Sequence, residues 1–409
     1  MAPPLAPLRR DLDFFPSPDR DRPGLVIQDR NQFSPHQLIV PPILVQVLDL
    51  FDGRNTALDV RAALTKLTGE LDTAEVVDHM AGALSRAGFL EDDAFAVLKE
   101  VRMKEWRALD VLPYSHAGPL NYPEDPQKLH AQFDNWFQAV AAPGVQPLRA
   151  IAAPHASPGA ARRSYANAYH ALAQALPKEQ AAGKTFVILG TSHYGEIDRL
   201  GVTRKDFDTP IGRARVDQSL LGELKHAGGP GIAEEDYYFS LEHSVEFQVV
   251  FLQYLYGPDI RILPILCGSY ARSIYAGGAP ERSDDVARYL DALRELGDRH
   301  SRDLVWVLGV DMAHMGKRYD DDIIYTAHSG AMLDIEAKDR GRITSLEAGD
   351  AEGFWAQVQE NRDPLKWCGS APFYTYLRAF PQAKGELLDY EHWQIDAESV
   401  VTLGAMRFS

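Results

Sequence analysis

The sequence predicts an α/β protein whose main domain is a largely parallel sheet flanked by helices, preceded by a small, largely helical domain. First, buried-type apolar runs alternate with helical periodicity over roughly the last three hundred residues, which indicates parallel strands joined by crossover helices. Second, the N-terminal part carries short strand-like runs and then amphipathic helical patterns. Third, the chain has 409 residues, which is too long for one ordinary core.

The composition is that of a globular, acidic protein: 45% of the residues are hydrophobic, 24% are charged, and the formal net charge is −16. An acidic chain releases few counterions from a phosphate backbone, so nucleic-acid binding is not expected. The two cysteines, Cys267 and Cys368, are too few for a disulfide framework and indicate a reducing compartment. The N-terminus lacks the apolar segment of a secretory signal, and no run is long enough for a membrane helix. We therefore expect a cytoplasmic protein without membrane contact.

The chain divides into four predicted parts. Residues 1–24 are predicted to be an irregular lead-in, because five of the first 18 residues are proline. Residues 25–100 form a small helical, winged-helix-like domain, in which the first helical pattern, PPILVQVLDLFDG, has proline at its start and glycine at its end. Residues 101–112 form a helical linker, and residues 113–409 form the α/β domain.

The N-terminal domain has a family resemblance of its own. The segment LDLFDGRNTALDVRAAL, followed by VVDHMAGALSRAGFLED, resembles winged-helix domains of the PqqD-like type through a helix–Asp-Gly–helix pattern and a terminal Gly-Phe-Leu. The resemblance implies a domain that binds a peptide beside a radical-SAM enzyme. The other interpretation of these residues is a small helical accessory domain.

The α/β domain shows the alternation most clearly. Its predicted strands are RAIAA, KTFVILG, RILPIL and DLVWVLG. The helical patterns between them are SYANAYHALAQAL, VDQSLLGELKHA, SVEFQVVFLQYL and SDDVARYLDALRELGDR. The tail adds a helix, SAPFYTYLRAF, and two strands, GELLDYEHW and SVVTLGAMRF. Strand–helix alternation of this kind predicts a mainly parallel sheet with right-handed crossovers.

Histidines follow three of these strands, at the point where each strand ends. RAIAA leads to His155, KTFVILG to His193, and DLVWVLG to Asp311 and His314. Ligands bind at the carboxyl ends of strands in open α/β sheets, so these four side chains would converge if the strands are neighbours. Imidazole and carboxylate groups bind first-row transition metals, and histidines with near-neutral pKa values also act as general acids and bases. The residues alone leave both chemistries open.

A fourth fragment, SLEHSVEFQ, and the two cysteines add further candidates. Glu242 and His243 precede a predicted helix, and Glu246 lies on the same helical face as His243. Cys267 ends a predicted strand, whereas Cys368 precedes a helix whose N-terminus favours a thiolate; the residues alone do not decide between them. The remaining histidines are predicted to be structural or solvated: His36, His79, His116, His130, His170, His226, His300, His328 and His392.

Ordered fragments across residues 113–409 resemble the MEMO family, including the members named AmmeMemoRadiSam system protein B. The fragments are AGPLNYPEDPQKL, AIAAPHA, VILGTSHY, DTPIGRARVD, LEHSVEFQVVFLQ, ILPILCG, GVDMAHMGKRY and WCGSAPFYTYL. The resemblance implies a fold like that of the class III extradiol dioxygenases. It also implies an iron or copper ion, rather than zinc, held by His155, His193 and Cys368.

The resemblance extends to the other candidate residues. Asp311 and His314, from a D-x-x-H motif, would line the same pocket. Glu242 and His243 match a further motif, whose role the resemblance does not assign. These four residues are the candidate catalytic residues.

The loop after APHA departs from the family. The family usually continues with Gly-Tyr and Ser-Gly, whereas residues 157–163 read SPGAARR, and Tyr194 replaces the second histidine of the usual Ser-His-His. The proposed ligands are retained, so the departure bears on the substrate more than on the metal. The two arginines of the loop, Arg162 and Arg163, would suit an anionic group.

Three functions are compatible with these features. The first is a metal-dependent, dioxygenase-like redox enzyme that acts on a small-molecule or peptide substrate. The second is a non-catalytic peptide- or partner-binding module on the same fold. The third is an assembly partner of a radical-SAM protein, with residues 25–100 presenting a peptide. The sequence contains no G-x-S-x-G, H-E-x-x-H or P-loop motif, which argues against the enzyme classes that depend on them.

Overall fold

The computed structural model describes residues 3–234 and 237–409. The chain separates into two compact units, Met1–Ala108 and Leu109–Ser409. The boundary between the units falls inside the segment 101–112, where the sequence predicts a linker. Among the described residues, no helix has both the length and the apolar composition needed to cross a bilayer.

The first unit combines a small antiparallel sheet with helices. Its strands, in the order β1-β2-β3, are β1 (Leu12–Pro16), β2 (Leu25–Asp29) and β3 (Gln37–Val40). Its α-helices are α1 (Pro42–Val45), α2 (Ala57–Thr68), α3 (Ala74–Arg86) and α4 (Asp93–Ala108). Thr56 and Asp59 form a capping box at the start of α2, and Gly69, with a φ of 77°, ends it.

The structure differs from the predicted irregular lead-in at residues 1–24. Strand β1 lies inside this segment and pairs along its whole length with β2. Arg9, just before β1, is buried with 1% of its surface exposed. The prolines predict irregular structure, but Pro16 stands at the last position of a strand with one neighbour among the residues that the structure describes. A missing N–H is tolerated at such a position.

The first helical pattern is also interrupted. PPILVQVLDLFDG forms only the short helix α1 and a separate 3₁₀ turn, Leu48–Leu50. The apolar spacing that predicted a continuous helix instead serves packing, because Val47, Leu48 and Phe51 are buried in the core of this unit.

The second unit is built on a larger sheet. Its strands are β4 (Val111–Leu112), β5 (Ala150–Ala153), β6 (Thr185–Thr191), β7 (Leu200–Val202), β8 (Asp206–Asp208), β9 (Arg213–Val216), β10 (Ile232–Glu234), β11 (Arg261–Cys267), β12 (Leu304–Gly309), β13 (His314–Gly316), β14 (Gly385–Gln394) and β15 (Ser399–Phe408). Its α-helices are α5 (Pro126–Gln138), α6 (Arg162–Ala175), α7 (Gln218–Gly228), α8 (Glu246–Tyr256), α9 (Ala271–Ala276), α10 (Asp284–Arg299), α11 (Met332–Ala348), α12 (Ala351–Gln359) and α13 (Ser370–Ala379). Short 3₁₀ helices occupy Lys178–Gln180, Gly229–Gly231, Tyr237–Ser240, Pro280–Arg282, Lys317–Tyr319 and Glu360–Arg362.

The centre of this sheet is parallel. Strands β5, β12, β6 and β11 lie side by side in that order, each parallel to the next. The tail strands β14 and β15 form an antiparallel hairpin, with β15 against β5. The predicted α/β class, with a mainly parallel sheet flanked by helices, is confirmed. Because neighbouring parallel strands end at the same edge, the carboxyl ends of β5, β12 and β6 are adjacent.

Candidate metal centre

The candidate site lies where these three neighbouring strands end. His155 follows β5 by two residues, Asp311 follows β12 by two, and His193 follows β6 by two. Glycines at the ends of the strands admit a further segment: a Cβ at Gly309 would lie 2.4 Å from the carbonyl oxygen of Ser244. The close approach of this segment, which precedes α8, brings Glu242 and His243 to the same sheet edge.

His155 is held in one tautomer. Its Nδ1 lies 2.9 Å from the carbonyl oxygen of Gly309; a carbonyl only accepts, so Nδ1 carries the proton and Nε2 presents a lone pair. That Nε2 lies 3.2 Å from Cys368 Sγ and 3.5 Å from Asp311 Oδ2. Burial, together with the neighbouring His193, lowers the pKa of His155 to about 3, so its imidazole is neutral at physiological pH.

His193 is held in the same sense by a carboxylate. Its Nδ1 donates to Glu242 Oε2 at 3.0 Å, and its backbone N–H donates to the other oxygen of Glu242. Glu242 is buried, with 4% of its surface exposed. A carboxylate behind a histidine fixes the ring and leaves Nε2 as the ligand atom, an arrangement common around protein-bound metals.

Asp311 and Cys368 meet beside His155. Asp311 Oδ1 accepts backbone N–H groups of His155 at 2.9 Å and Ala156 at 3.2 Å. The Cys368 thiol lies 3.8 Å from the backbone oxygen of Asp311. Burial raises the pKa of the Asp311 carboxyl and, to a greater extent, that of the Cys368 thiol. The site therefore disfavours the charged forms of both groups.

The structure brings the predicted residues together in two overlapping groups. The ligand atoms of His155, His193 and His243 lie within 4.8 Å of one another, and so do those of His155, Asp311 and Cys368. The rings of His193 and His243 are stacked, with their centroids 5.4 Å apart. A cavity of about 170 Å³ is lined by both His193 and Cys368.

His314 stands apart from these two groups. Its Nδ1 donates to the carbonyl oxygen of Met312 at 3.0 Å, and its ring packs edge-on against Tyr319. Burial lowers the pKa of His314 to about 4, so it is a neutral imidazole beside Asp311.

The second unit matches a known protein family. A family model described as Memo-like protein matches residues 113–407. The chain belongs to the Memo-like family. This membership confirms the family resemblance of residues 113–409 and the class III extradiol dioxygenase type of fold. We refer to the second unit from here on as the Memo-like domain.

Curated relatives extend the match. The MEMO1 family protein of Aquifex aeolicus is 26% identical over 411 residues, which cover 99% of this chain and 100% of the relative. The MEMO1 family protein MK0963 of Methanopyrus kandleri is 28% identical over 282 residues, covering 66% of this chain and 88% of its own length. The MEMO1 family protein PF1638 of Pyrococcus furiosus is 35% identical over 147 residues, covering 34% of this chain and 46% of its own. The Aquifex match includes the first unit as well as the Memo-like domain.

A histidine of the Memo-like domain was missed as a site residue by sequence reasoning. His116, predicted to be structural or solvated, lies with its ring 5.6 Å from that of His243. Its Nδ1 lies 2.9 Å from Glu246 Oε2, and Glu246 also accepts from Tyr122. The only signal was the position of His116 in the loop before α5, because a lone histidine in a loop has no periodicity to mark it.

Two other predicted features are resolved by their contacts in the Memo-like domain. Cys267 lines the same cavity as Cys368, but it is 1% exposed, burial raises its pKa to about 12, and it belongs to neither ligand group.

Arg163 donates to Asp389 at 2.9 Å and to the Tyr390 carbonyl at 3.0 Å. Its guanidinium is thus already engaged by a carboxylate, which weakens its candidacy for an anionic ligand.

Proposed function

We propose that the Memo-like domain binds iron or copper through His155, His193 and Cys368, and that the bound metal serves a dioxygenase-like redox reaction on a small-molecule or peptide substrate. The observation that carries this proposal is the 3.2 Å approach of His155 Nε2, a lone-pair acceptor, to Cys368 Sγ. Two imidazoles and a thiolate are ligands that iron and copper accept readily, with coordination positions left open.

The pKa shifts of the cluster residues support the binding of a metal cation. Burial lowers the pKa of His155 and His243 and raises the pKa of Asp311 and Cys368. Neutral imidazoles are ready to coordinate, whereas the thiol must lose its proton when a metal binds. Metal binding at neutral pH is therefore expected to release protons from this site.

The protein residues have distinct proposed tasks. Glu242 and the Gly309 carbonyl orient the two ligand histidines, and Asp311 fixes the backbone that carries His155. Asp311, His314 and His243 are proposed to hold or move protons beside the substrate. A bound iron or copper ion would supply the redox centre and the open positions at which dioxygen or a chelating substrate binds.

Elemental analysis of anaerobically purified protein tests the proposal. We expect near-stoichiometric iron or copper in the wild type and its loss in His193→Ala and Cys368→Ser. Cys267→Ala is the matched control, because it removes the other cysteine of the same cavity and should retain the metal. Folded wild type that takes up neither Fe(II) nor Cu(I) on reconstitution would contradict the proposal. The non-catalytic peptide- or partner-binding function would then apply to this domain.

For the first unit we propose a second function: binding of an extended peptide, in keeping with a radical-SAM partner system. Strand β3 has one neighbour in the sheet, β2, among the described residues. A groove of about 640 Å³ is lined in part by β3. The groove is lined by residues of β3, of α1 with the preceding proline, and of α3: Leu38, Ile39, Val40, Pro41, Leu44, Glu75, Val76, His79, Met80, Ala83 and Leu84. A strand with one described neighbour that also lines a largely apolar groove suits strand addition, in which backbone hydrogen bonds hold the peptide and alternate side chains enter the groove.

A random peptide display library tests this function on the full chain. We expect enrichment of peptides with alternating apolar residues, unaffected by a metal chelator and lost in Val76→Lys. Leu71→Lys is the matched control, because Leu71 is 91% exposed and does not line the groove. Equal enrichment on the wild type and on Val76→Lys would show that the groove is not the binding surface.

A further inference from the structure

The loop that delivers Cys368 has an unusual backbone. Four residues between α12 and α13 that are not glycine have positive φ: Asn361 at 49°, Arg362 at 61°, Asp363 at 58° and Lys366 at 53°. Side chains with a Cβ disfavour this region, and such conformations persist only where surrounding contacts enforce them. The conformation of this loop is therefore expected to depend on contacts with other segments of the chain.

Helix α11 supplies two contacts to this loop. Asp339 Oδ1 accepts from Trp367 Nε1 at 2.6 Å, one residue before Cys368. Arg342 Nη2 lies 2.8 Å from Asp363 Oδ1. Asp339 and Arg342 are three residues apart on one helical face, and they are 0% and 2% exposed. One face of α11 thus contacts the loop at two points.

Asp339 also reaches the other loop of the site. Its Oδ2 accepts from Thr402 Oγ1 at 2.6 Å and from Tyr390 at 2.8 Å. Thr402 Oγ1 in turn accepts the backbone N–H of Ala313 at 2.7 Å, between Asp311 and His314. A single carboxylate therefore links the segment that carries Cys368 to the segment that carries Asp311.

Burial of the Asp339 carboxylate does not by itself stabilise the fold. Burial raises the pKa of Asp339 to about 6, although hydrogen bonds from Thr402, Trp367 and Tyr390 act in the opposite direction. An apolar side chain would fill such a position at lower desolvation cost. Unlike an apolar residue, the carboxylate fixes the positions of several hydrogen-bond donors at once.

We propose that Asp339 and Arg342 are positioning residues, which clamp the strained loop 361–369 and hold the Cys368 thiol against His155. The inference rests on the proposed metal function only where it treats Cys368 as a ligand. The placement of the thiol by the clamp can be measured without any metal.

The test uses the full chain in a Cys267→Ala background, so that Cys368 is the remaining thiol. The first measurement is the rate at which metal-free protein reacts with an aromatic disulfide: the Cys368 thiolate forms a mixed disulfide and releases a coloured aryl thiolate. The second is the affinity for Co(II), read from its thiolate charge-transfer absorption. The variants are Asp339→Asn and the milder Trp367→Phe, which removes one donor.

The matched control is Asp29→Asn, the same change at a buried carboxylate of the first unit. We expect faster thiol modification and about 10–100-fold weaker Co(II) binding in both clamp variants, as for other residues that orient ligands, and neither change in the control. Unaltered modification rates in folded Asp339→Asn and Trp367→Phe would overturn the clamp. Absence of a Co(II)–thiolate band in the wild type would instead count against the metal function, while the modification rates would still decide the clamp.

Discussion

The two units each bury a polar cluster, and the clusters are built on opposite principles. In the first unit, Arg9 and Asp29 have side chains that are 0% exposed and face each other. In the Memo-like domain, His155 presents an acceptor nitrogen to Cys368 and Asp311, whose sulfur and oxygen are also acceptors when ionised. One cluster matches charged donors with charged acceptors, and the other gathers groups that can ligate a metal around a common centre.

The cluster of the first unit is complete as it stands. The guanidinium of Arg9 donates to both oxygens of Asp29, to both oxygens of Asp11 and to the carbonyl of Gly88. Asp29 accepts two further backbone N–H groups, from Asn31 and Ser34. Every N–H of the guanidinium has an acceptor, so this cluster needs no ligand and serves stability.

The cluster of the Memo-like domain has its histidine rings fixed from the outer side. The Nδ1 groups of His155, His193 and His314 each have an acceptor. His155 and His193 belong, with His243, to a group whose ligand atoms lie within 4.8 Å of one another, and the Cys368 thiol lies 3.2 Å from His155 Nε2. Burial of this kind is poorly suited to stability alone and well suited to a bound cation.

The largest predicted effect follows from breaking the complete cluster. Asp29→Ala leaves the guanidinium of Arg9 buried without its main partner, and removing one member of a buried pair costs roughly 3–5 kcal/mol. Hydrogen exchange of the amides of β1 and β2 should report this loss, while the metal content of the Memo-like domain stays unchanged. Asp19→Ala is the control: the Asp19–Arg22 pair is exposed, so exchange in β1 and β2 should not change. Unchanged exchange in Asp29→Ala would mean that the pair does not hold the sheet.

The difference between the clusters also explains what the sequence could predict. His155, His193 and Asp311 follow apolar runs, so their position at strand ends was visible in the pattern, and the structure places them at one sheet edge. The assignment of Cys368 came only from the family resemblance. Cys267 ends a strand, so strand-end position alone favours the wrong thiol, and the local pattern does not separate the two cysteines.

Other residues that hold these segments in place could not be identified from the sequence pattern. Asp339 lies within α11, where a carboxylate in a helical pattern is typical of a solvated face, yet it is fully buried by the C-terminal hairpin and the loop before α13. Arg9 lies in a proline-rich stretch that predicts irregular structure. Both residues depend on partners at least twenty residues away, and pairings at such separation are not encoded in local periodicity.

The second predicted effect is that the Memo-like domain loses stability as the pH falls. Burial lowers the pKa of His314 to about 4, below its ordinary value of 6.5. Its contribution to stability is therefore fully present above pH 6.5 and is lost as the pH falls toward about 4, because the unfolded chain binds the proton first. One such proton changes the free energy of unfolding by about 1.4 kcal/mol per pH unit.

Denaturation of metal-free protein across this range measures the effect. His314→Asn should have a shallower pH dependence than the wild type. Asp311 acts with the opposite sign, because burial raises its pKa and its contribution falls as the pH rises. The comparison of wild type and variant isolates the histidine. Identical pH slopes in the two proteins would refute a neutral, buried His314.

The smallest predicted effect is the sharpest test of the contrast. Cys368→Ser replaces a weakly donating thiol by a hydroxyl that can donate to His155 Nε2, so the metal-free Memo-like domain should keep its stability or gain about 1 kcal/mol. Cys267→Ser is the control, because a hydroxyl at this 1% exposed position should lower stability. Denaturant titration of both variants, each without metal, measures the difference. A site arranged for a ligand keeps or gains stability when one of its ligand groups is replaced by a better hydrogen-bond donor, whereas a structural cluster such as Arg9–Asp29 loses stability when one of its members is removed. A clear destabilisation by Cys368→Ser would therefore place the histidine–thiol cluster with the structural kind.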